Sequence, residues 1–273
     1  MSISAAEVMK LRKATGAGMM DCKKALADAN GDFDGAIQII REKGKAIANK
    51  RADRDASEGV VLGKVAGKKA GVLVLNCETD FVAKNQGFVD LTEKMLDTAL
   101  ATDATNLDEA KKVVMDGRTL EEHVTEQTGI IGEKLQLGHY ATIDAETVVA
   151  YIHPGNKLAT LVGFNLADVD AQVAKDVAMQ VAAMSPIAVD KDNVSAEVVE
   201  KELEIAKEKF RQEGKPEEML NKIAQGALNK FFKESTLLNQ DFVKDNKQTI
   251  RQYLQSVNKE LTVTAFERYS LTD

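Results

Sequence analysis

Twice in this chain a pair of short apolar runs is joined by a tight turn and then followed by a helical stretch. The first pair is residues 60–65 and 70–75, separated by Gly67-Lys68-Lys69; the second is 148–153 and 158–164, separated by Pro154-Gly155-Asn156. Short runs of β-branched and aliphatic residues bounded by such turn formers are strands, and each pair reads as a hairpin. A helix follows each, at about 86–101 and at 171–184, the latter ending at Ser185-Pro186. Hairpin then helix, twice, points to an α+β fold with two related subdomains.

The flanking segments have their own textures. Residues 4–14 carry Val8, Met9, Leu11 and Ala14 at helical spacing and stop at Thr15-Gly16-Ala17-Gly18. A second helix is predicted over 19–29, ending at Asn30-Gly31-Asp32, and a third over 33–43 with Ala36, Ile37 and Ile40 inward. Residues 45–58, charged and alanine-rich, read as a helical extension or linker. Further helices are expected at 106–115 and 119–128, then a turn and strand within 130–142. Val199, Leu203, Ala206 and Phe210, then Leu220, Ala224, Ala227 and Phe231, form two seams either side of Gly214-Lys215-Pro216, the pattern of an antiparallel helical hairpin. Residues 263–269 alternate like a closing strand that must rejoin a sheet. The expected organisation is therefore a three-helix docking module and linker (1–52), a first α+β subdomain (53–142), a second (143–194, continued by 233–273), and an inserted helical hairpin (195–232).

Charge narrows the function. Residues 1–52 hold ten Lys/Arg against six Asp/Glu, +4 in a chain whose net charge is −7. A small basic module on an acidic body fits docking to an acidic protein surface, not phosphate binding by the whole chain. No apolar stretch approaches the roughly 20 residues needed to cross a bilayer, and the N-terminus lacks the features of a secretory signal. A cytoplasmic protein with free thiols is expected, with neither nucleic acid nor membrane as partner. His123, His139 and His153 share no metal-ligand spacing. Cys77 lies near acids that disfavour its thiolate, and Gly16-Ala17-Gly18 lacks the long glycine-rich loop and lysine of a phosphate cradle. No metal, no cofactor and no enzyme active site is expected, so the chain should act by binding.

The segment Asn76-Cys77-Glu78-Thr79-Asp80-Phe81-Val82-Ala83-Lys84 is the sharpest candidate. Thr79 and Asp80 are both natural helix N-caps. Spacing alone leaves Phe81 two roles, a core ring beneath the cap or an exposed ring pushed into another protein. Of Met19 and Met20, one is expected in the core and the other exposed as an adaptable contact.

The runs Thr15-Gly16-Ala17-Gly18-Met19-Met20-Asp21-Cys22-Lys23-Lys24-Ala25-Leu26 and 76–84 resemble the two signatures of the bacterial elongation factor Ts family, the guanine-nucleotide exchange factors of elongation factor Tu. The resemblance implies a first module similar to ubiquitin-associated domains, with Met19 and Met20 as docking contacts. It implies that Asp80 and Phe81, flanked by Thr79 and Val82, enter beside the partner's switch region and disturb its Mg²⁺ and phosphate site. Ile131 and Gly132 match a second contact loop, and His153 a contact of the second subdomain. The implied partner is elongation factor Tu, GDP-bound and nucleotide-free. Two positions depart from the family pattern: Pro154 follows His153 where a glycine is common, and Gln180 stands where a histidine is common. Two other classes stay open, a non-catalytic adaptor with a ubiquitin-associated-like module and a thiol-dependent enzyme using Cys77.

Overall fold

In the computed structural model, which describes residues 3–272, the first helix begins where the sequence supplies a cap. Ser4 and Glu7 close a capping box on α1 (Ala5–Thr15), and Gly16 ends it at φ 72°, a left-handed conformation that glycine adopts without strain. α2 (Met19–Asp28) and α3 (Phe33–Lys50) complete a three-helix group. Leu11, Cys22, Leu26, Ala36 and Ile40 form its core. Two inward positions of α1 are as expected, Val8 and Leu11, but Thr15 is buried where Ala14 is not, and Met9 is exposed. α3 continues past 43 to Lys50, so the start of 45–58 is the helical extension rather than a linker, because alanine- and lysine-rich sequence propagates a helix without an apolar stripe once packing supports it.

By its internal contacts the chain divides into two units. One holds the chain up to Leu62, Leu73–Ala141 and the end from Leu271; the other holds Gly63–Val72 and Thr142–Ser270. After α3 come β1 (Glu58–Ala66), β2 (Lys69–Cys77), α4 (Asp80–Ala83), α5 (Gln86–Leu100), α6 (Leu107–Ala110), β3 (Val114–Met115), β4 (Arg118–Thr119), α7 (Leu120–Ile131) and β5 (Gln136–Asp144). Three of these strands form a sheet in the order β1-β2-β5. α3 and α7 cross at two glycines: a Cβ on Gly129 would stand 2.2 Å from the Gly44 Cα, so only glycine permits this approach. The predicted helix at 106–115 is corrected. Only one turn forms, α6, and the chain then makes a two-residue hairpin through Asp116-Gly117, both at positive φ. An Asp-Gly pair specifies a hairpin turn, which overrides helical spacing.

The second unit continues with β6 (Thr147–Ile152), β7 (Leu158–Phe164), α8 (Ala171–Met184), α9 (Ala196–Gln212), α10 (Glu217–Ser235), β8 (Asp241–Phe242), β9 (Asp245–Thr249), α11 (Ile250–Val257) and β10 (Val263–Ser270). β10 pairs antiparallel with β7, Phe266 opposite Val162, so the closing strand does rejoin a sheet, in the order β10-β7-β6. Phe164, Val177, Val181, Leu237, Ile250 and Leu254 build the core beneath it. α9 and α10 pack as the expected helical hairpin, with Ala206, Leu220, Ala224 and Leu228 buried between them. Gln180, where a histidine is common in the family pattern, is a fully buried core residue. Its Nε2 donates to Gln240 Oε1 (3.2 Å) and the Asp241 carbonyl (3.1 Å), and its Oε1 accepts from the Val243 N–H (2.9 Å), which anchors the C-terminal segment. Among the described residues no helix is long and apolar enough to cross a membrane.

Candidate functional site

β2 is buried along almost its whole length and ends at Cys77, which is fully buried. Burial first, then the charge of Glu133, pushes the Cys77 thiol up to about 12. A thiol held that high is protonated at neutral pH, which argues against a nucleophile here. The chain then turns at Thr79, whose backbone is extended at φ −124° and ψ 153°. Its hydroxyl accepts the Val82 N–H at 3.4 Å and caps α4. Of the two possible caps it is Thr79 that serves; Asp80 instead accepts from Lys84 Nζ at 2.6 Å across one helical turn.

α4 is a single turn, and only its last residue, Ala83, is buried. Phe81 precedes Ala83 by two residues, about 200° around a helix of 3.6 residues per turn. The ring therefore points away from the core and is 82% exposed. Of the two placements left open for Phe81, core or exposed, the structure has the exposed one. Asn85 then caps α5 through the Gly87 N–H at 2.9 Å, so the turn cannot lengthen into a continuous helix.

Phe81, Val82 and Ile131 line one recess with Phe88, Leu91 and Gln127. Ile131 is the last residue of α7, and Gly132 closes that helix at φ 81° with its N–H on the Thr128 carbonyl at 2.9 Å. Two segments far apart in sequence thus meet at the exposed ring. Sequence reasoning missed Glu133, the next residue, whose carboxylate accepts the Thr79 N–H (3.0 Å) and hydroxyl (2.6 Å) across 54 residues. No local pattern reveals such a pair; the one available hint is an acid directly after the glycine stop of α7.

Met19 and Met20 open α2 and are both exposed, Met20 at 75%. The expectation that one is a core residue is corrected. The core is closed at this end by Thr15 and Ala17, with the Ala17 N–H on the Thr15 hydroxyl and the Cys22 thiol on the Ala17 carbonyl. The run 15–26 thus combines a self-satisfied turn with two outward methionines. His153 belongs to the second unit and is exposed after β6, its Nδ1 3.0 Å from the Tyr151 hydroxyl. Pro154 does not open that turn: the Asn156 N–H reaches the His153 carbonyl at 3.0 Å and the His153 N–H the Leu158 carbonyl at 2.8 Å. Among the described residues, no three His, Cys, Asp or Glu side chains converge to hold a metal ion.

The family profile described as Elongation factor TS matches residues 78–273, beginning at the corner itself. The chain is 50% identical over 272 residues to Elongation factor Ts of Porphyromonas gingivalis, covering 99% of each chain. It is 51% identical to Elongation factor Ts of Christiangramia forsetii and 52% to that of Amoebophilus asiaticus, each over 272 residues and 98% of both chains.

Proposed function

This chain belongs to the elongation factor Ts family, and we propose that it is a translation elongation factor that releases GDP from elongation factor Tu so that GTP can rebind. The observation that carries the reading is Phe81, 82% exposed on a one-turn helix set between the caps at Thr79 and Asn85. On this reading Phe81 and Asp80 enter beside the partner's switch region and displace the groups that hold Mg²⁺ and the phosphates. Thr79 and Val82 flank the intrusion, and Ile131 and Gly132 contact the partner from the end of α7. Met19 and Met20 dock the three-helix group, and His153 adds a contact from the second unit.

No bond is made or broken in such a reaction. The factor binds the nucleotide-free partner more tightly than the GDP-bound partner, and linkage requires it to weaken GDP affinity by the same factor. Burying one phenylalanine is worth about 1.5–3 kcal/mol, or roughly one to two decades at 1.4 kcal/mol per decade. Phe81 alone thus supplies a large part of the coupling.

Stopped-flow release of fluorescent GDP from elongation factor Tu tests this. The protein is expected to accelerate release, Phe81→Ala to slow it more than it weakens complex formation, and Met19→Ala or Met20→Ala mainly to weaken complex formation. Unchanged release with Phe81→Ala sinks the wedge. Binding without any acceleration by the wild-type chain leaves the adaptor reading instead.

A further inference from the structure

We propose that Glu133 and Glu78 are positioning residues for exchange, a crossed clasp that holds the Thr79–Phe81 corner in register with the Ile131–Gly132 turn. This rests on the exchange reading of Phe81. The two glutamates reach across the same gap in opposite directions. Glu133, just after the α7 stop, takes the N–H and hydroxyl of Thr79. Glu78, just before the cap, takes the Lys134 N–H at 2.5 Å. Each carboxylate thus grips the backbone of the other segment, and neither segment can slide without breaking both bonds.

The corner depends on this clasp because α4 cannot sustain itself. Fixing the first helical turn is unfavourable on its own, and four residues add almost no propagation. What stabilises the turn is its cap, and the cap's hydroxyl is shared. Thr79 donates its proton to Glu133 and accepts the Val82 N–H on the same oxygen. Glu133 therefore sets the rotamer that caps the turn, and the turn sets the direction of Phe81. Without it the backbone of residues 79–84 frays and the ring samples many directions, so the energy of inserting it must first repay its ordering.

The clasp is also tied to the end of α3. Arg51 Nη1 donates to the same Glu78 oxygen at 2.7 Å, and Lys134 Nζ donates to the Ala52 and Arg54 carbonyls at 2.8 Å each. The Lys134 N–H, and Arg51 against the cost of burial, hold the Glu78 carboxyl below its usual range. It is an anion at neutral pH, and both bonds it accepts are charge-assisted. The end of α3, which packs against the helix carrying Met19 and Met20, and the corner that carries Phe81 therefore share one set of anchoring bonds.

The test combines amide hydrogen exchange of the free protein with GDP release from elongation factor Tu at increasing factor concentration. Glu133→Ala is expected to speed exchange of the Val82–Lys84 amides about tenfold, the size of one charge-assisted hydrogen bond, while the α7 interior stays protected. The maximal release rate is expected to fall about tenfold with the half-saturating concentration within about twofold. Glu133→Gln, which keeps one acceptor, is expected to fall between. Unchanged amide protection or an unchanged maximal rate overturns the clasp. So does a raised half-saturating concentration alone, which makes Glu133 a simple partner contact. If Glu133→Ala does not fold, Thr79→Val, which removes only the shared hydroxyl, is judged by the same criteria. Failure of the wild-type chain to accelerate release overturns the exchange reading itself, and the hydrogen-exchange arm then judges the clasp separately.

Discussion

Two of the strands that lead toward a helix carry a phenylalanine at the exit, and the two rings have opposite fates. β2 leaves through Glu78-Thr79 into α4, and Phe81 is 82% exposed; β7 ends at Phe164, which is fully buried, and a loop leads to α8. Both helices open on a side-chain cap, Thr79 in one and Asp170 in the other. Both exits are closed by a polar residue on distant backbone. Asn165 donates to the Glu260 carbonyl and accepts the Thr262 N–H, each at 2.8 Å, whereas Glu133 and Glu78 at the first exit only accept, from the Thr79 and Lys134 N–H groups. The difference lies in phase. Phe164 is the last strand residue on the inward face, whereas Phe81 follows the cap on a turn with one inward position, already taken by Ala83. An aromatic at a strand end is therefore committed to the core or released from it by a shift of a few residues relative to the cap.

Truncating the two rings should separate these roles most strongly. Phe164→Ala is expected to destabilise the protein by about 3–5 kcal/mol through the cavity it leaves, read from the urea midpoint. Phe81→Ala should change that midpoint by less than about 0.5 kcal/mol yet slow stimulated GDP release about ten- to hundredfold. A large stability loss at Phe81 would break the contrast.

The polar anchors come next. Gln180→Ala leaves the Val243 N–H and Gln240 without their partner in the core, and is expected to cost about 1–3 kcal/mol by urea denaturation. Acid should act on the same unit. Burial would raise the carboxyls of Asp176 and Asp190, but bonds from Lys244, Gln172 and Tyr253 at the first, and from Arg251 and Asn239 at the second, outweigh it and hold both below the usual range. A depressed carboxyl contributes fully above its unfolded value, about 3.9 for aspartate, and loses that contribution as pH falls through the lower folded value. The urea midpoint should therefore be flat with respect to these two groups from about pH 7 to 5 and fall below about pH 4. Lys244→Met should make the fall shallower; an unchanged slope would remove Asp176 from the account.

The caps should behave alike despite the different fates of their phenylalanines. Thr79→Ala and Asp170→Ala are each expected to cost about 1 kcal/mol, measured by thermal unfolding. The smallest effect belongs to Lys84→Met. Its pair with Asp80 leaves the side chains 74% and 42% exposed, so no measurable change in the thermal midpoint is expected.

Much of the fold was legible because its signals are local. The helix at 171–184 is found over those residues, both hairpins form around the turns that predicted them, and the last strand closes the second sheet. What misled was also local. A helical spacing at 106–115 hid an Asp-Gly turn that a stricter reading would have found. α11 carries a clear apolar face, with Ile250 and Leu254 buried, but its eight residues are too few for periodicity to stand out in a polar tail. Of the candidate site, Thr79 as a cap and Phe81 as a ring at a corner could be read directly. The exposure of both methionines could not, because it depended on Thr15 and Ala17 closing the core end first.

The sequence by itself determined where the chain turns, which strands pair through tight turns, and which residues are free to cap a helix, because each of these is settled by neighbours within about one helical turn. Only the tertiary structure decided that Ala83 rather than Phe81 faces the core, that Ile131 arrives beside the ring, and that Glu133 and Glu78 grip across 54 and 56 residues. Contacts at such separation become favourable only once burial has met the entropy of bringing the segments together. No local pattern of residues can encode them, and they are what hold Phe81 in the direction it points.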